Sequence, residues 1–408
     1  MLLKLAFRNI FRNFRRTFFT FIAIAVGLAL MLTMDSILQG IDAQSFSKII
    51  NYETGHIKIY SRGYQKDKDN LPLDKLIASP EAVAGKIRND PDVTGVTSRV
   101  NFRIMLSDRM DEVPAVGIAV NPDDDQSVFQ LKQAVEKGSF LAGTEEAMLI
   151  GEKLARDFGV DVGDTLTVVA RTKYETYQAL DMRIKGILNT DDPQIDWFSV
   201  VIPLSVGQSS LDLSDSVTEI DIKLKNINDV DAFKQKLSKA VPGMEVLTWR
   251  DLSEDVIAIS QAKYKVMLTM FLCIVLISLI SITNTILMAA FERVREIGTM
   301  GAMGMRRRDI VKMFVLEGTM IGLLGSVFGC LIGAALIGFW SIPVGLDYSF
   351  FAREMGNIGY RTTGRFTGEW HQIMFPVAFA FGLLVSALTS IYPAIVASRM
   401  EPSEALRK

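Results

Sequence analysis

Four stretches of the sequence carry no charged residue over lengths that suit a membrane-crossing helix. They cover residues 17–34, 266–291, 318–346 and 372–398. A helix needs roughly 17 to 25 predominantly apolar residues to cross the hydrocarbon core of a bilayer. Because a Lys, Arg or Asp at the centre of such a helix costs about 2.5 to 3.5 kcal/mol, this pattern predicts an integral membrane protein with four transmembrane helices.

The residues between the first and second stretches have the pattern of a soluble domain. Apolar and polar residues alternate at 56–61, 164–170 and 219–225, which predicts strands. Segments 79–90, 151–159 and 228–243 carry helix start and stop signals. The fold class is therefore a membrane protein with a large mixed α/β extracytoplasmic domain, in which a lobe at about 131–203 is inserted into another lobe.

Spans and loops together predict an order of segments along the chain. Apolar residues continue at helical spacing after the first span and before the second, which favours two helices that extend outward and pair as a stalk. Connector helices packed on the domain are the alternative. The predicted segments are an amphipathic interfacial helix at 1–16, transmembrane helices at 17–40, 263–291, 318–340 and 372–396, the α/β domain at 41–262, a cytoplasmic coupling segment at 292–317, an outer loop at 341–371 and a cytoplasmic tail at 397–408.

Basic residues beside the spans predict the orientation. Arg8, Arg12 and Arg15 precede the first span, and Arg293 and Arg306 lie between the second and third. Such loops stay in the cytoplasm, so both termini are expected inside and the large domain outside. A cleaved signal peptide is the alternative for the first span. The outer domain has an excess of acidic residues, which argues against nucleic acid as a partner.

Motifs for catalysis or metal binding are missing from the sequence. It contains two histidines and neither a C-x-x-C nor a G-x-x-x-x-G-K-[ST] motif, so no catalytic, cofactor or metal residue is predicted. The run from Asp123 to Asp125 lacks the alternating spacing of a calcium loop and predicts a solvated turn.

Small and aromatic residues suggest how the spans pack. Glycines at four-residue spacing allow close helix approach in lipid, to a helix of this chain or of another. Thr283, Asn284 and Thr285 are expected to form hydrogen bonds across helices. The helix-packing set is Gly318, Gly322, Gly325, Gly329 and Gly333, and the candidate lipid groove is Phe18, Phe19, Phe21 and Phe271.

Motifs across nearly the whole chain resemble those of one family. The loop ERVREIGTMGAMGMRRRDIVKMFVLEG, the start LAFRNIFRNFRRTFFT, the outer segment AMLIGEKLARDFGVDVGDTLTV and the ending YPAIVASRMEPSEALRK resemble ABC transporter permeases of the MacB/FtsX/LolC/LolE type. The segment GHIKIYSRGY favours the LolC/LolE branch.

The resemblance implies a non-enzymatic permease that works with a cytoplasmic ABC ATPase dimer. ATP and magnesium would bind that ATPase, and this chain would carry no cofactor. The implied ATPase-coupling residues are Glu292, Arg293, Arg295, Glu296, Ile297, Met300, Met303, Gly304, Arg306 and Arg307.

The resemblance further implies a bacterial inner-membrane location and a second permease, either another copy or a sister chain. The expected cargo is a lipoprotein, extracted from membrane lipid and passed to a periplasmic carrier. The region that corresponds to a carrier-binding hook, about 171–182, is short here. The alternatives are a MacB-like export permease, an FtsX-like regulator of a periplasmic hydrolase, and a membrane-anchored enzyme.

Overall fold

The computed structural model describes residues 14–347, Arg361 and residues 365–399, which form two compact units. The helical unit comprises the described parts of Met1–Asp42, Ser260–Asp347 and Arg365–Lys408, and the α/β unit comprises those of Ala43–Ile259 and Tyr348–Gly364. Most of the interfacial helix predicted at 1–16 and of the tail predicted at 397–408 lies outside the described residues.

Helices and strands alternate irregularly along the chain. The α-helices are α1 (Phe14–Lys48), α2 (Pro80–Arg88), α3 (Pro122–Val128), α4 (Glu152–Phe158), α5 (Pro193–Phe198), α6 (Leu204–Ser210), α7 (Val230–Ala240), α8 (Trp249–Leu252), α9 (Glu254–Glu292), α10 (Val294–Ala302), α11 (Arg307–Leu336) and α12 (Met374–Ser398). The strands are β1 (Ile57–Ser61), β2 (Val93–Ser107), β3 (Glu112–Val120), β4 (Val135–Gly138), β5 (Ala147–Gly151), β6 (Thr165–Arg171), β7 (Tyr177–Leu188), β8 (Ser199–Pro203), β9 (Glu219–Leu224), β10 (Met244–Thr248), β11 (Leu346–Asp347) and β12 (Arg365–Phe366).

Four helical segments of the described residues are long and apolar enough to cross a membrane. They are Thr17–Thr54, Glu254–Glu292, Arg307–Ser341 and Met374–Ser398. In the first of these, α1 continues as a π-helix over Ile49–Thr54. The helices α1 and α9 both extend beyond their charge-free stretches, as the continued apolar spacing predicts.

The helical unit has its own apolar core. Side chains from α1, α9, α10, α11 and α12 contribute to one buried cluster, so the helices pack as a bundle. The fully buried Phe314 and Ala394 and the nearly buried Ile282 belong to it. At least part of every helix of this bundle is therefore fixed by close packing.

The α/β unit is built on one ten-stranded sheet. Its strand order is β10-β1-β9-β2-β3-β8-β5-β7-β4, and β6 pairs with β2 and β7. The pairs β3–β8 and β5–β7 are parallel, while the others are antiparallel. Strands of the segment 131–203 are joined to the rest of the sheet through β3–β8 and β2–β6, so hydrogen bonding is continuous across the predicted lobe boundary.

Local predictions in this unit agree with the structure for three strands and three helices. The strands β1, β6 and β9 and the helices α2, α4 and α7 lie where alternation and capping signals predict them. The solvated turn predicted at Asp123 to Asp125 is wrong. Those residues begin α3, whose first amide is capped by Asn121, and Asp125 is buried in an ion pair with Arg99.

Candidate functional site

The predicted coupling segment folds as a short helix followed by a tight turn. The helix α10 follows α9 directly, and a turn at Met303 and Gly304 leads into α11 at Arg307. Gly304 has φ of +91°, a conformation that residues with a Cβ rarely adopt. The segment 292–317 is therefore helical over α10 and again from Arg307 onward.

One side of the coupling segment is exposed. The exposed members of the predicted coupling set combine acidic, basic and apolar groups, and the Met303 side chain is 76% exposed. Charged groups around a flexible methionine suit a surface that receives a protein partner. These members, called the exposed coupling surface below, are Glu292, Arg295, Glu296, Met303, Gly304, Arg306 and Arg307.

Arg293 does not belong to that surface. Its side chain is 7% exposed; Nε donates to Glu296 Oε2 at 2.9 Å, and Nη1 lies 3.5 Å from Glu317 Oε2. Glu317 on α11 is itself only 9% exposed. The guanidinium thus holds the start of α10 against α11, so among the predicted coupling residues Arg293 lies on the inward side of the segment.

Ile297 is also turned inward. It is 4% exposed and belongs to the core cluster with Ile310, Met313 and Phe314 of α11, while Met300 packs against that cluster partly buried. Arg293, Ile297 and Met300 follow helical spacing, so they share one face of the segment. That spacing was available in the sequence as a signal for an inward face.

The five glycines of α11 all face other helices of this chain. Gly318 and Gly322 lie against Ser390 and Ser386 of α12, whereas the other three lie against α1. A Cβ added to Gly325 would lie 2.8 Å from Ile24 Cβ, closer than van der Waals contact allows. The same clash arises for Gly329 with Leu28 Cβ at 2.9 Å, while a Cβ at Gly333 would lie 2.9 Å from Leu32 Cδ1 and 3.2 Å from Leu32 Cβ.

The four phenylalanines of the predicted lipid groove lie in different environments. Phe18 contacts Phe19 and Phe21 edge to face, and Phe19 is 71% exposed. Phe271 is buried and packs on Phe381 of α12, with ring centroids 4.8 Å apart. The structure therefore does not bring the four into one groove.

An open groove of about 770 Å³ does lie between α1 and α9. Phe19, Met288 and Phe291 give it apolar walls, and Asn284 adds a polar group. Beside it, Thr20 Oγ1 and Thr285 Oγ1 are 2.6 Å apart, as expected for a polar contact across helices.

Polar residues that sequence analysis did not select join the other ends of these helices. The nearly buried Asp35 of α1 accepts from His371 Nδ1 at 2.8 Å. Asp42 of α1 pairs with Lys263 of α9 at 2.5 Å and also accepts from Ser260. The Asp42 contacts pair α1 with α9 beyond the apolar stretch, whereas Asp35 joins α1 to the residues before α12. These partners are too distant in sequence for a spacing argument.

Two exposed aromatic side chains lie at the turn of the β6–β7 hairpin. Tyr174 and Tyr177 are 70% and 78% exposed. Met110, at the turn of the β2–β3 hairpin, is 88% exposed, but β2 pairs antiparallel with β6, so that turn lies at the opposite end of β6. We call Tyr174 and Tyr177 the hairpin patch.

Among the described residues, no group of three or more His, Cys, Asp or Glu side chains is arranged to hold a metal ion. The described features instead define a membrane protein whose large soluble unit is inserted after the first long apolar helix. In its helical unit, α11 takes part both in the buried ion pair with Arg293 and in the close glycine contacts with α1 and α12.

Comparison with known families agrees with that class. The MacB-like periplasmic core domain matches residues 17–240, and the FtsX-like permease C-terminal domain matches residues 268–402. The chain belongs to the MacB/FtsX/LolC family of ABC transporter permeases.

Similar proteins include transporters with different names. The lipoprotein-releasing system transmembrane protein LolC of Xylella fastidiosa is 22% identical, with 95% of this chain and 92% of that protein covered. The macrolide export ATP-binding/permease protein MacB of Brucella melitensis is 25% identical, with 99% of this chain and 60% of that protein covered. The crystal structure of the periplasmic region of MacB from Actinobacillus actinomycetemcomitans has a TM-score of 0.36 and 11% identity, covering 51% of this chain and 95% of that one.

Proposed function

We propose that this chain couples ATP hydrolysis by a partner ABC ATPase to the release of lipoproteins from the inner membrane. The sequence has no phosphate-binding loop motif, so the proposal assigns nucleotide and magnesium to the partner. The lipoprotein cargo is supported by the LolC relative, which aligns over most of both chains. In this scheme the permease moves cargo and catalyses no reaction.

The observation that carries the proposal is the mechanical continuity of the helical unit. The exposed coupling surface spans α10 and the residues that flank it, and the buried Arg293 and Ile297 fix this segment to α11. The glycines of α11 then pack closely on α1 and α12. A displacement imposed on α10 is therefore passed to three long helices, because close-packed interiors transmit strain.

The membrane arrangement follows from charge. With the four long apolar helices across the membrane, the basic residues before α1 and around α10 lie in the cytoplasm, and both termini lie there too. The α/β unit is then periplasmic. A second copy of the chain or a sister permease completes the transporter, and the mass of the purified complex distinguishes the two.

The hairpin patch is where we propose that the periplasmic carrier binds. Solvent-exposed aromatic side chains are enriched at protein interfaces. Tyr174→Ser with Tyr177→Ser is expected to reduce carrier binding at least tenfold, measured by biolayer interferometry on the detergent-solubilised protein. The exposed Asp157→Asn on α4 is the control, and unchanged carrier binding in the tyrosine variant would contradict this assignment.

ATPase docking is tested by charge reversal on the exposed coupling surface. Arg295→Glu is expected to reduce co-purification of the ATPase at least tenfold, because it reverses an exposed charge on the proposed docking surface. Lys312→Glu makes the same charge change at an exposed position of α11 and is expected to retain the ATPase. Equal retention by both variants would mean that α10 is not the docking element.

A MacB-like export function is the second candidate because the Brucella relative aligns over 99% of this chain. The FtsX-like regulator is the third. Adding triacylated lipoprotein, a macrolide or a soluble peptide to the purified complex separates them. Stimulation of ATPase activity by lipoprotein alone supports lipoprotein release, stimulation by macrolide or peptide alone supports export, and a response to none of them favours the regulator.

A further inference from the structure

The α/β unit contains charged residues on a sheet face where alternation predicts solvent. Lys58 of β1, Asp221 and Glu219 of β9, and Arg99 of β2 lie on neighbouring strands, in the registers Lys58↔Asp221 and Arg99↔Glu219. Their exposed fractions are 3%, 0%, 1% and 1%. The opposite face carries the apolar core, so both faces of these strands are buried.

Positive and negative charges do not balance on this face. Lys58 Nζ is shared between Glu219 Oε1 at 2.5 Å and Asp221 Oδ1 at 3.1 Å. Arg99 is held by both carboxylate oxygens of Asp125, at 2.7 and 3.0 Å. Two buried cations thus serve three buried carboxylates. Burial and the neighbouring Glu219 raise the pKa of Asp221 to about 8, against the charges of Lys58 and Arg99.

Another ion pair lies nearby in this unit. Arg361 pairs with both Glu53 and Asp192, and the Asp192 carboxylate lies 3.0 Å from the guanidinium. Burial raises the pKa of Asp192, although Arg361 opposes the shift. The Glu53 side chain is 51% exposed, so Arg361 faces one buried carboxylate. The excess buried carboxylate therefore belongs to the network of Lys58 and Arg99, where it is unfavourable unless it takes a proton or another cation.

A cavity of about 520 Å³ lies against this charged face. This volume is many times the roughly 10 to 15 Å³ that one bound water requires, so the cavity can hold more than a single ion. Glu219, Glu53 and the stacked rings of Tyr60 and Tyr64 line it. So does Ser253, which is 3% exposed and whose buried side-chain oxygen has no hydrogen-bond partner among the described residues.

We propose that this cavity binds an organic ammonium group, carried either by a lysine side chain of a polypeptide or by a small free amine. The ammonium donates hydrogen bonds to Glu219 and to the free Ser253 Oγ, and the Tyr60 and Tyr64 rings contact its methylene groups. Because the ligand ammonium then interacts with the Glu219 carboxylate, the Lys58 ammonium interacts mainly with Asp221. This favours the ionised form of Asp221, which releases its proton to the solvent, so the site gains one cation and loses one proton.

The test is calorimetry on the full-length protein in detergent at pH 7. The probes are butylamine, N-acetyl-lysine methylamide and the neutral butanol, each titrated in two buffers that differ in ionisation enthalpy. Saturable binding of an amine with release of up to one proton, and no binding of butanol, is expected. At least tenfold tighter binding of the lysine derivative identifies a polypeptide ligand, and equal binding identifies a free amine.

Absence of saturable binding by both amines, or equal binding of butanol, would overturn the proposal. Asp221→Asn removes the excess carboxylate and is expected to abolish proton release and to weaken amine binding at least tenfold. Asp157→Asn changes an exposed carboxylate and is expected to alter neither. Because the unmodified protein already gives the binding and proton counts, the proposal stays testable if Asp221→Asn does not fold.

Discussion

Buried charged side chains fix the local geometry at decisive positions in both units. Arg293 joins α10 to α11, and Lys58 joins β1 to β9. A buried pair contributes little net stability compared with an apolar pair, but loss of one partner leaves a charge buried without its counterion. Such residues are therefore expected to respond strongly to single substitutions and weakly to exchanges that keep both charges.

Substitution of Arg293 tests this at the coupling segment. Arg293→Ala is expected to lower the free energy of unfolding by about 3 to 5 kcal/mol, because Glu317 stays buried without this cation. Arg295→Ala, at an exposed position, is expected to stay within about 0.5 kcal/mol. Denaturant titration in one detergent measures both.

The double variant Arg293→Glu with Glu317→Arg restores opposite charges at the two positions. It is expected to recover part of the lost stability. The ion pair does not fix α10 if the double variant is no more stable than Arg293→Ala and if Arg293→Ala has the same free energy of unfolding as Arg295→Ala.

Asp221 predicts how stability depends on pH. Its pKa of about 8 in the folded protein exceeds the unfolded value, so the native state binds more protons between these two pKa values. This one proton is therefore expected to lower the free energy of unfolding from about pH 4 to pH 8, by at most about 1.4 kcal/mol per pH unit. Burial lowers the pKa of His56 to about 4, which contributes with the opposite sign below about pH 6.5.

Asp221→Asn is expected to flatten that decline. Some slope remains, because burial also raises the pKa of Asp196, to about 7. Denaturant midpoints at several pH values between 5 and 8 measure the effect. An identical slope in Asp221→Asn and the unmodified protein would show that Asp221 does not hold the extra proton.

Sequence alternation located these residues but not their environment. Lys58 and Asp221 occupy polar positions of alternating strands, a pattern that is typical of one solvent-exposed face. Residues from the segments 49–54 and 252–256 line the cavity on that face, and the second segment is far away in sequence from Lys58. The alternation of polar and apolar residues depends only on the strand itself. It therefore could not predict that segments distant in sequence bury the polar face.

At the scale of elements, α11 is the helix with the closest contacts. Its five glycines lie within about 80° of one another around the helix axis, given 100° per residue. Spacing therefore predicts one close-packing face. The partner changes from α12 to α1 along that face, because the neighbouring helices cross it at different heights. Crossing positions depend on tertiary packing, so the sequence left the partner open.

Gly329→Ala tests the close approach. The new Cβ would meet Leu28 Cβ at 2.9 Å and the Ala25 carbonyl oxygen at 3.0 Å, and backbone cannot move aside cheaply. Overpacking of this kind costs about 1 to 3 kcal/mol. Gly338→Ala is the control, since its Cβ would come no closer than 3.5 Å to another residue. Thermal unfolding in detergent compares them, and equal midpoints would contradict the packing described for α1 and α11.

At the scale of the whole molecule, sequence analysis predicted the long apolar helices and the soluble α/β block between the first two. Both predictions rest on the apolar content of long segments, which does not change when the environment of a single residue is predicted wrongly. The exposed and buried sides of the coupling segment were not separated, since the family motif includes residues of both kinds. The hairpin patch was missed because exposure of Tyr174 and Tyr177 depends on how β6 and β7 pair.

The central claim is that this chain converts ATP hydrolysis by a partner into release of a lipoprotein. Proteoliposomes that contain the chain, its co-purified ATPase and a fluorescent triacylated lipoprotein measure release and ATP turnover together. The account predicts that lipoprotein release requires ATP. It also predicts that the amount of lipoprotein released per ATP hydrolysed is lower in Gly329→Ala and in Arg293→Ala than in the unmodified protein. Two results would contradict it. One is lipoprotein release without ATP, and the other is ATP turnover without release when the unmodified complex is supplied with a periplasmic carrier.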